Sequence, residues 1–255
     1  MTVEISRRDE FALITLNRPK ALNALSFAIL DELDAAIGRV AKTDARAVFI
    51  TGAGDKAFCA GADIRELRHR EPISRKRGAE KGQAVFVKLS ELPIPSIAVI
   101  NGFAFGGGLE LAMACTFRVA TAAAKMALPE IKLGLVPGYG GTQRLPRLVG
   151  EARALELVMT GRTVKADEAA AIGLVHRVVD GDAIEQAIAF AREFTCYSLP
   201  ALQFARSAVT RALDVPVGEG LKIEADLSTL AFGMNDAEEG MAAFEEKRKP
   251  KFTDD

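Results

Sequence analysis

The feature that most restricts how this chain can fold is a set of short apolar runs. They are "FALITL" (Phe11–Leu16), "AVFIT" (Ala47–Thr51), "SIAVI" (Ser96–Ile100), "FRVAT" (Phe117–Thr121) and "LVHRVV" (Leu174–Val179). Each is too short for a typical helix, and several are apolar on both faces, which suits strands buried inside a covered sheet. Helical patterns lie between them. In "SFAILDELDAAIGRVAK" Ser26 is placed to cap, and Phe27, Ile29, Leu30, Leu33, Ala36, Ile37 and Val40 form an apolar stripe. Residues Arg75 to Leu92 predict another helix, stopped by "LPIP". Strand–helix alternation of this kind predicts an α/β architecture built by crossovers. From Asp182 onward only helical patterns remain, with "VPVGEG" (Val215–Gly220) expected as a break between helix pairs.

Composition narrows the class. A chain of 255 residues suits one large domain, or one domain with a helical appendage. A formal net charge of −1 gives no electrostatic reason to expect nucleic acid or an anionic membrane as partner. Any anion site must therefore be local. Cys59, Cys115 and Cys196 are too few and too scattered for a disulfide framework. With His69 and His176 the only histidines, a metal site is poorly supplied. The N-terminal stretch lacks the apolar core of a signal peptide, and no run reaches the ~18 apolar residues of a membrane span. The expectation is a soluble, reduced, cytoplasmic protein without a metal.

The chemistry is concentrated where glycine meets acid. There is no G-x-S-x-G elbow, H-E-x-x-H pair or phosphate-binding G-x-x-x-x-G-K-[ST] loop. Three glycine-bearing segments remain: "KAFCAGADIREL" (Lys56–Leu67), "NGFAFGGGLELAMAC" (Asn101–Cys115) and "LPEIKLGLVPGYGGTQRLPRLVG" (Leu128–Gly150). In the second, a strand feeds a glycine turn that opens a short apolar helix. Such a start presents unpaired N–H groups that can stabilise an oxyanion, and glycine lets a ligand approach the backbone. Glu110 stands in the first turn of that helix among apolar neighbours. Unpaired burial would cost it several kcal/mol or shift its pKa. The plainer readings are a tight turn for the glycines and a surface cap for Glu110. Glu130, after a proline in a loop, gains interest only from the apolar "MAL" before it and the glycines after it.

Taken together, these segments resemble the crotonase family, the enoyl-CoA hydratase/isomerase superfamily. The resemblance runs from "LNRPKALNALS" (Leu16–Ser26) through the three glycine segments to "EGMAAFEEKRKPKF" near the C-terminus. It implies a spiral of ββα units over residues 1–195 and a helical region over residues 196–255, with assembly as trimers or dimers of trimers. It implies an oxyanion hole from the backbone N–H groups of Ala62 and Gly107, and catalytic acids at Glu110 and Glu130. Contacts to coenzyme A fall on Lys20, Ala21 and Leu22, and on the stretch Ala60, Gly61, Ala62, Asp63 and Ile64. Arg65 takes a position that is often lysine, and Gly106 joins Gly107 beside the thioester. Phe244 and Lys247 match positions that reach a CoA site, often the neighbouring subunit's.

The implied substrate is an acyl-CoA thioester, with no cofactor beyond the coenzyme A it carries and no nucleic acid or membrane partner. Both acids are present, which favours a hydratase over an isomerase, whose members commonly lack an acid at the Glu110 position. A non-catalytic CoA- or RNA-binding scaffold fits poorly with the neutral charge and the intact acid pair. Two departures are mild: Phe105 stands where leucine is common, and "ACTFRVA" replaces the more usual "AC-D-I-R".

Overall fold

A computed structural model describes residues 2–255. The chain opens with an antiparallel pair, β1 (Val3–Arg8) and β2 (Phe11–Leu16), followed by helix α1 (Phe27–Val40). Next comes a repeated pattern. Strand β3 (Val48–Gly52) leads to the short β4 (Ala57–Cys59), then to helices α2 (Ile64–Leu67) and α3 (Pro72–Ser90). Strand β5 (Ser96–Ile100) leads to β6 (Phe103–Phe105) and helix α4 (Gly107–Ala114). Strand β7 (Phe117–Thr121) leads to β8 (Lys125–Ala127), a 3-10 turn (Glu130–Leu133), and helices α5 (Gly141–Val149) and α6 (Glu151–Thr160). The core ends with β9 (Val164–Lys165), α7 (Ala166–Ala171), β10 (Arg177–Val179) and α8 (Ala183–Thr195).

Each repeat thus places one strand in each of two sheets. The larger has six strands in the order β1-β2-β3-β5-β7-β10, and the smaller has four in the order β4-β6-β8-β9. Apart from β1 with β2 and β8 with β9, all neighbours run parallel. This is the spiral of ββα units that the sequence resemblance implied. The larger sheet is covered on both faces, which is why its strands read as continuous apolar runs. Ile14, Leu16, Val48, Ile50, Ala98 and Ile100 face the core shared with α1, α3 and α4. Phe11, Phe49, Ile97, Val99 and Val119 face the opposite way, against Ala187, Ile188 and Ala191 of α8.

Helix α1 forms as its pattern predicts. The Ser26 hydroxyl accepts from the Ile29 N–H at 3.2 Å, and the stripe Ile29, Leu30, Leu33, Ala36, Ile37 and Val40 is buried. Other elements differ from the sequence reading. The run Leu174–Val179 is a strand only over Arg177–Val179. Strands β1, β4, β6, β8 and β9 have no counterpart in that reading, since most span two or three residues and carry almost no periodicity. In β1 only Val3 is buried, so no alternation marks it. The stretch Val215–Gly220 is not wholly a break, because the helix after it begins at Val217, directly behind Pro216.

Beyond α8 lie helices α9 (Leu199–Arg211), α10 (Val217–Phe232) and α11 (Asn235–Glu245). Helices α9 and α10 bury no residue fully. Polar bonds hold this region instead. Arg206 donates to the Ile94 carbonyl at 3.0 Å, and Asp236 accepts from the N–H groups of Thr253 and Asp254 at 2.7 and 3.0 Å. Asp254 in turn binds Arg46 at 2.5 Å and the Leu199 N–H at 2.7 Å. Among the described residues no helix is long and apolar enough to cross a membrane.

Phe49 is fully buried and meets Phe11 edge-on at 5.3 Å between ring centres. Truncation there leaves a cavity in a face covered by a single helix. Phe49→Ala is expected to lower unfolding free energy by about 3–5 kcal/mol in a urea titration.

Candidate active site

The site begins where two parallel strands of the smaller sheet end side by side. After β6 the chain turns at Gly106, whose φ of +50° leads straight into α4. A side chain at Gly106 would also strike Glu130, since a Cβ there would lie 2.9 Å from its Oε1. Gly108 permits the closest approach, because a Cβ on it would fall 2.0 Å from the Cys59 carbonyl oxygen at the end of β4. The first turn of α4 is thereby pressed against the segment that follows β4. A Cβ built on Gly107 would stand 3.4 Å from the Ala62 nitrogen, and one on Gly61 would stand 3.6 Å from the Gly107 nitrogen.

The N–H groups of Ala62 and Gly107 therefore lie side by side. Among the described residues neither has an acceptor. Unpartnered amides in a largely buried setting are costly and rare, and a pair of them is a receptor for a carbonyl oxygen that gains negative charge.

Glu110, one turn into α4, is only 2% exposed. Its Oε1 accepts two backbone bonds, from Tyr139 at 2.8 Å and Gly141 at 2.7 Å. Burial pushes its carboxyl above the ordinary range, while those amides and the Arg144 guanidinium pull the other way. It is a clamped buried acid and not a surface cap. Glu130 opens the 3-10 turn after β8. Its Oε2 is buried and has no partner among the described residues. Burial raises its pKa to about 7, and repulsion from Glu110 adds to the rise. Two carboxyls with elevated pKa values, the second raised in part by the charge of the first, thus lie near two free amides.

The remaining sequence candidates divide into two groups. The stretch Lys20, Ala21 and Leu22 lies against the Ala60–Ile64 stretch, joined by bonds from Ala60 N–H to Leu22 at 3.0 Å and from Leu25 N–H to Gly61 at 2.8 Å. Lys20 and Leu22 line a cavity of about 250 Å3 shared with Lys56. Asp63 caps α2 by accepting from the Arg65 N–H and pairs with Arg18 at 2.8 Å, leaving the Ile64 and Arg65 side chains exposed. Phe244 and Lys247 are elsewhere. Both are exposed, and Phe244 lines a groove among the C-terminal helices with Phe232, Met241 and Phe252, apart from the acid pair within this chain.

Sequence reasoning missed the holders of Glu110: the amides of Tyr139 and Gly141 and the charge of Arg144. The signal available was the glycine pair Gly140–Gly141, since Gly140 turns with a φ of +110° and Gly141 brings its amide onto the carboxylate oxygen with no side chain in the way. A Cβ at Gly141 would lie 3.0 Å from that oxygen.

Comparison with known proteins places the chain in a family. Residues 6–255 match the family model described as enoyl-CoA hydratase/isomerase. The chain belongs to the enoyl-CoA hydratase/isomerase family. A probable enoyl-CoA hydratase from Rhizobium meliloti is 43% identical, covering 98% of this chain and 97% of its own. A short-chain-enoyl-CoA hydratase from Clostridium acetobutylicum is 40% identical, covering 97% and 95%. Among solved structures, the crystal structure of an enoyl-CoA hydratase from Bacillus anthracis superposes with a TM-score of 0.94 at 37% identity, over 100% of both chains. The crotonase-type α/β fold with C-terminal helices is thus established for this chain.

The raised pKa of Glu130 has a consequence for stability. Its ordinary value is 4.5, and the folded value is about 7. Between the two, the folded chain binds more protons than the unfolded one, so this group lowers stability as pH rises through that window. Glu130→Gln is expected to be more stable than wild type at pH values above about 7, with the difference vanishing below about 4.5. Thermal melts across that range read it directly.

Proposed function

We propose that this chain adds water across the 2,3 double bond of a 2-enoyl-CoA thioester to give a 3-hydroxyacyl-CoA, and runs the same reaction in reverse. One observation carries the reading: the buried Glu110, and Glu130 with its buried unpartnered Oε2, flank the glycine turn beside the unpartnered N–H groups of Ala62 and Gly107. Hydration needs these groups. Water must lose a proton as its oxygen bonds to Cβ, the displaced electron pair must be held on the thioester oxygen, and Cα must then gain a proton. The two amides hold the developing oxyanion. Glu110, fixed through Oε1, presents its other oxygen to water and takes the proton. Glu130, which a pKa near 7 keeps partly protonated at neutral pH, delivers a proton to Cα. Two carboxyls on one water also orient it. No cofactor takes part in this scheme, because coenzyme A belongs to the substrate.

Lys20, Ala21, Leu22 and the Ala60–Arg65 stretch are assigned to the coenzyme A moiety, with the adenine region along the backbone of residues 60–64. Residues 1–195 are assigned the chemistry, and residues 196–255 assembly and completion of the CoA site. Val209, Leu213, Val217 and Phe232 are each more than two-thirds exposed on the C-terminal helices, and Phe244 is 85% exposed. Such a surface calls for cover. A homotrimer or a dimer of trimers supplies it and brings Phe244 and Lys247 to a neighbour's CoA. Sedimentation at the mass of one chain would refute that arrangement. The unpaired cysteines support a cytoplasmic setting.

The test of the reaction is loss of the conjugated-thioester absorbance with crotonyl-CoA. Glu110→Gln and Glu130→Gln are each expected to lower turnover by about 10²–10⁴-fold. Wild-type kcat/KM for hydration is expected to fall as pH rises above about 7, as Glu130 loses the proton it must donate. Full hydration by Glu110→Gln, or isomerisation of a 3-enoyl-CoA with no hydration, would overturn the assignment.

A further inference from the structure

We infer that the ring of Tyr139 sets the acyl-chain length this site accepts, closing it behind the enoyl carbons so that short 2-enoyl thioesters fit and long ones do not. The inference rests on the hydratase reading for where the thioester lies. A thioester oxygen held by the Ala62 and Gly107 amides would lie beside Gly107, where a built Cβ marks the surroundings. That Cβ would lie 3.4 Å from the Ala62 nitrogen, and 3.1 and 3.3 Å from Cδ2 and Cε2 of Tyr139. One edge of the ring thus stands against Gly107, and on the hydratase reading it walls the space beside the thioester.

The other edge is lodged in helix α3. A Cβ at Gly82 would fall 2.3 Å from Cδ1 of the ring and 2.5 Å from Cε1. Phe86, one turn later, meets the ring edge-on at 5.7 Å. The ring therefore bridges α4 and α3 and fills the gap that two glycines leave between them. It is also held in place. The Gly138 carbonyl accepts from Gln83 at 2.8 Å, the Tyr139 N–H donates to Glu110, and the Tyr139 carbonyl accepts from Arg144 at 3.0 Å.

With the backbone pinned from three sides, the ring cannot withdraw by a loop shift. Every hydrogen bond of Tyr139 among the described residues runs through its backbone, so the shape of the ring, and not its hydroxyl, is what the site uses. A chain growing past Cβ along this wall meets aromatic carbon where a smaller residue would leave a channel toward α3.

The experiment compares kcat/KM for crotonyl-, octenoyl- and dodecenoyl-CoA in wild type, Tyr139→Phe, Tyr139→Leu and Tyr139→Ala. A single methylene in an apolar pocket already shifts such ratios by about tenfold or more. Wild type is expected to favour crotonyl- over dodecenoyl-CoA by at least about tenfold. Tyr139→Ala is expected to narrow or reverse that ratio by a similar factor, Tyr139→Leu to shift it part-way, and Tyr139→Phe to leave it unchanged. Calorimetric affinities for the saturated butyryl, octanoyl and dodecanoyl thioesters read the same ranking without turnover. A ranking that tracks position 139 in binding while hydration is absent would refute the hydratase reading alone. Equal use of all lengths by wild type, an unchanged ratio in both Tyr139→Leu and Tyr139→Ala, or a shift in Tyr139→Phe as large as in Tyr139→Ala would overturn the inference.

Discussion

A carboxyl group nearly sealed from water, and the two main-chain amides that hold it, are the contact on which the rest of this structure turns. Isolated burial of a carboxylate costs several kcal/mol, and hydrogen bonds to a charged group return about 1.5–3 kcal/mol each. Glu110 therefore stays in place only because the Tyr139 and Gly141 amides come to it from a loop 29 and 31 residues further along the chain. Delivering that loop requires β8, the 3-10 turn and α5 in their observed places. Placing α4 beneath it requires Gly108 against the Cys59 carbonyl. The glycines are thus parts of one requirement: three stretches of backbone must come close enough for amides to do the work of side chains.

The same economy governs Glu130. Glu110 has its charge partly met by amides and Arg144, whereas Glu130 Oε2 meets nothing among the described residues and feels the first acid's field. Two carboxyls of the same chemical type are therefore given different electrostatic settings by their surroundings alone. The acid clamped by two amides suits taking a proton, and the acid with an unpartnered buried oxygen suits keeping one.

Much of this was legible in the sequence, and the reasons differ by element. Strands β2, β5 and β7 show as apolar runs because both faces of the larger sheet are covered, by α1, α3 and α4 on one side and by α8 on the other. Helix α1 shows through its cap and its stripe. The smaller sheet stays hidden, since three residues such as Phe103–Phe105 hold too little pattern to mark a strand. Yet those short strands are the ones that end at the site. Glu110 announced itself by being an acid among apolar neighbours, and Glu130, Ala62 and Gly107 followed from family resemblance. The amides of Tyr139 and Gly141 did not, because a main-chain donor marks residue identity at most through a neighbouring glycine. Helices α9 to α11 read clearly as helices, but their exposed apolar faces are a property of arrangement, visible only when the chain is folded.

The clamp on Glu110 has one more implication, for how such a chain can change over generations. An acid held by a side chain ties two positions together, so neither can vary without harming the reaction. Here the grip is made by peptide groups, which every residue except proline supplies in the same form. The amide of residue 139 can go on orienting the acid while its side chain is exchanged for another. On the proposed reading, reaction and selectivity share one position without constraining each other, and a lineage can explore new substrates there without first losing the chemistry.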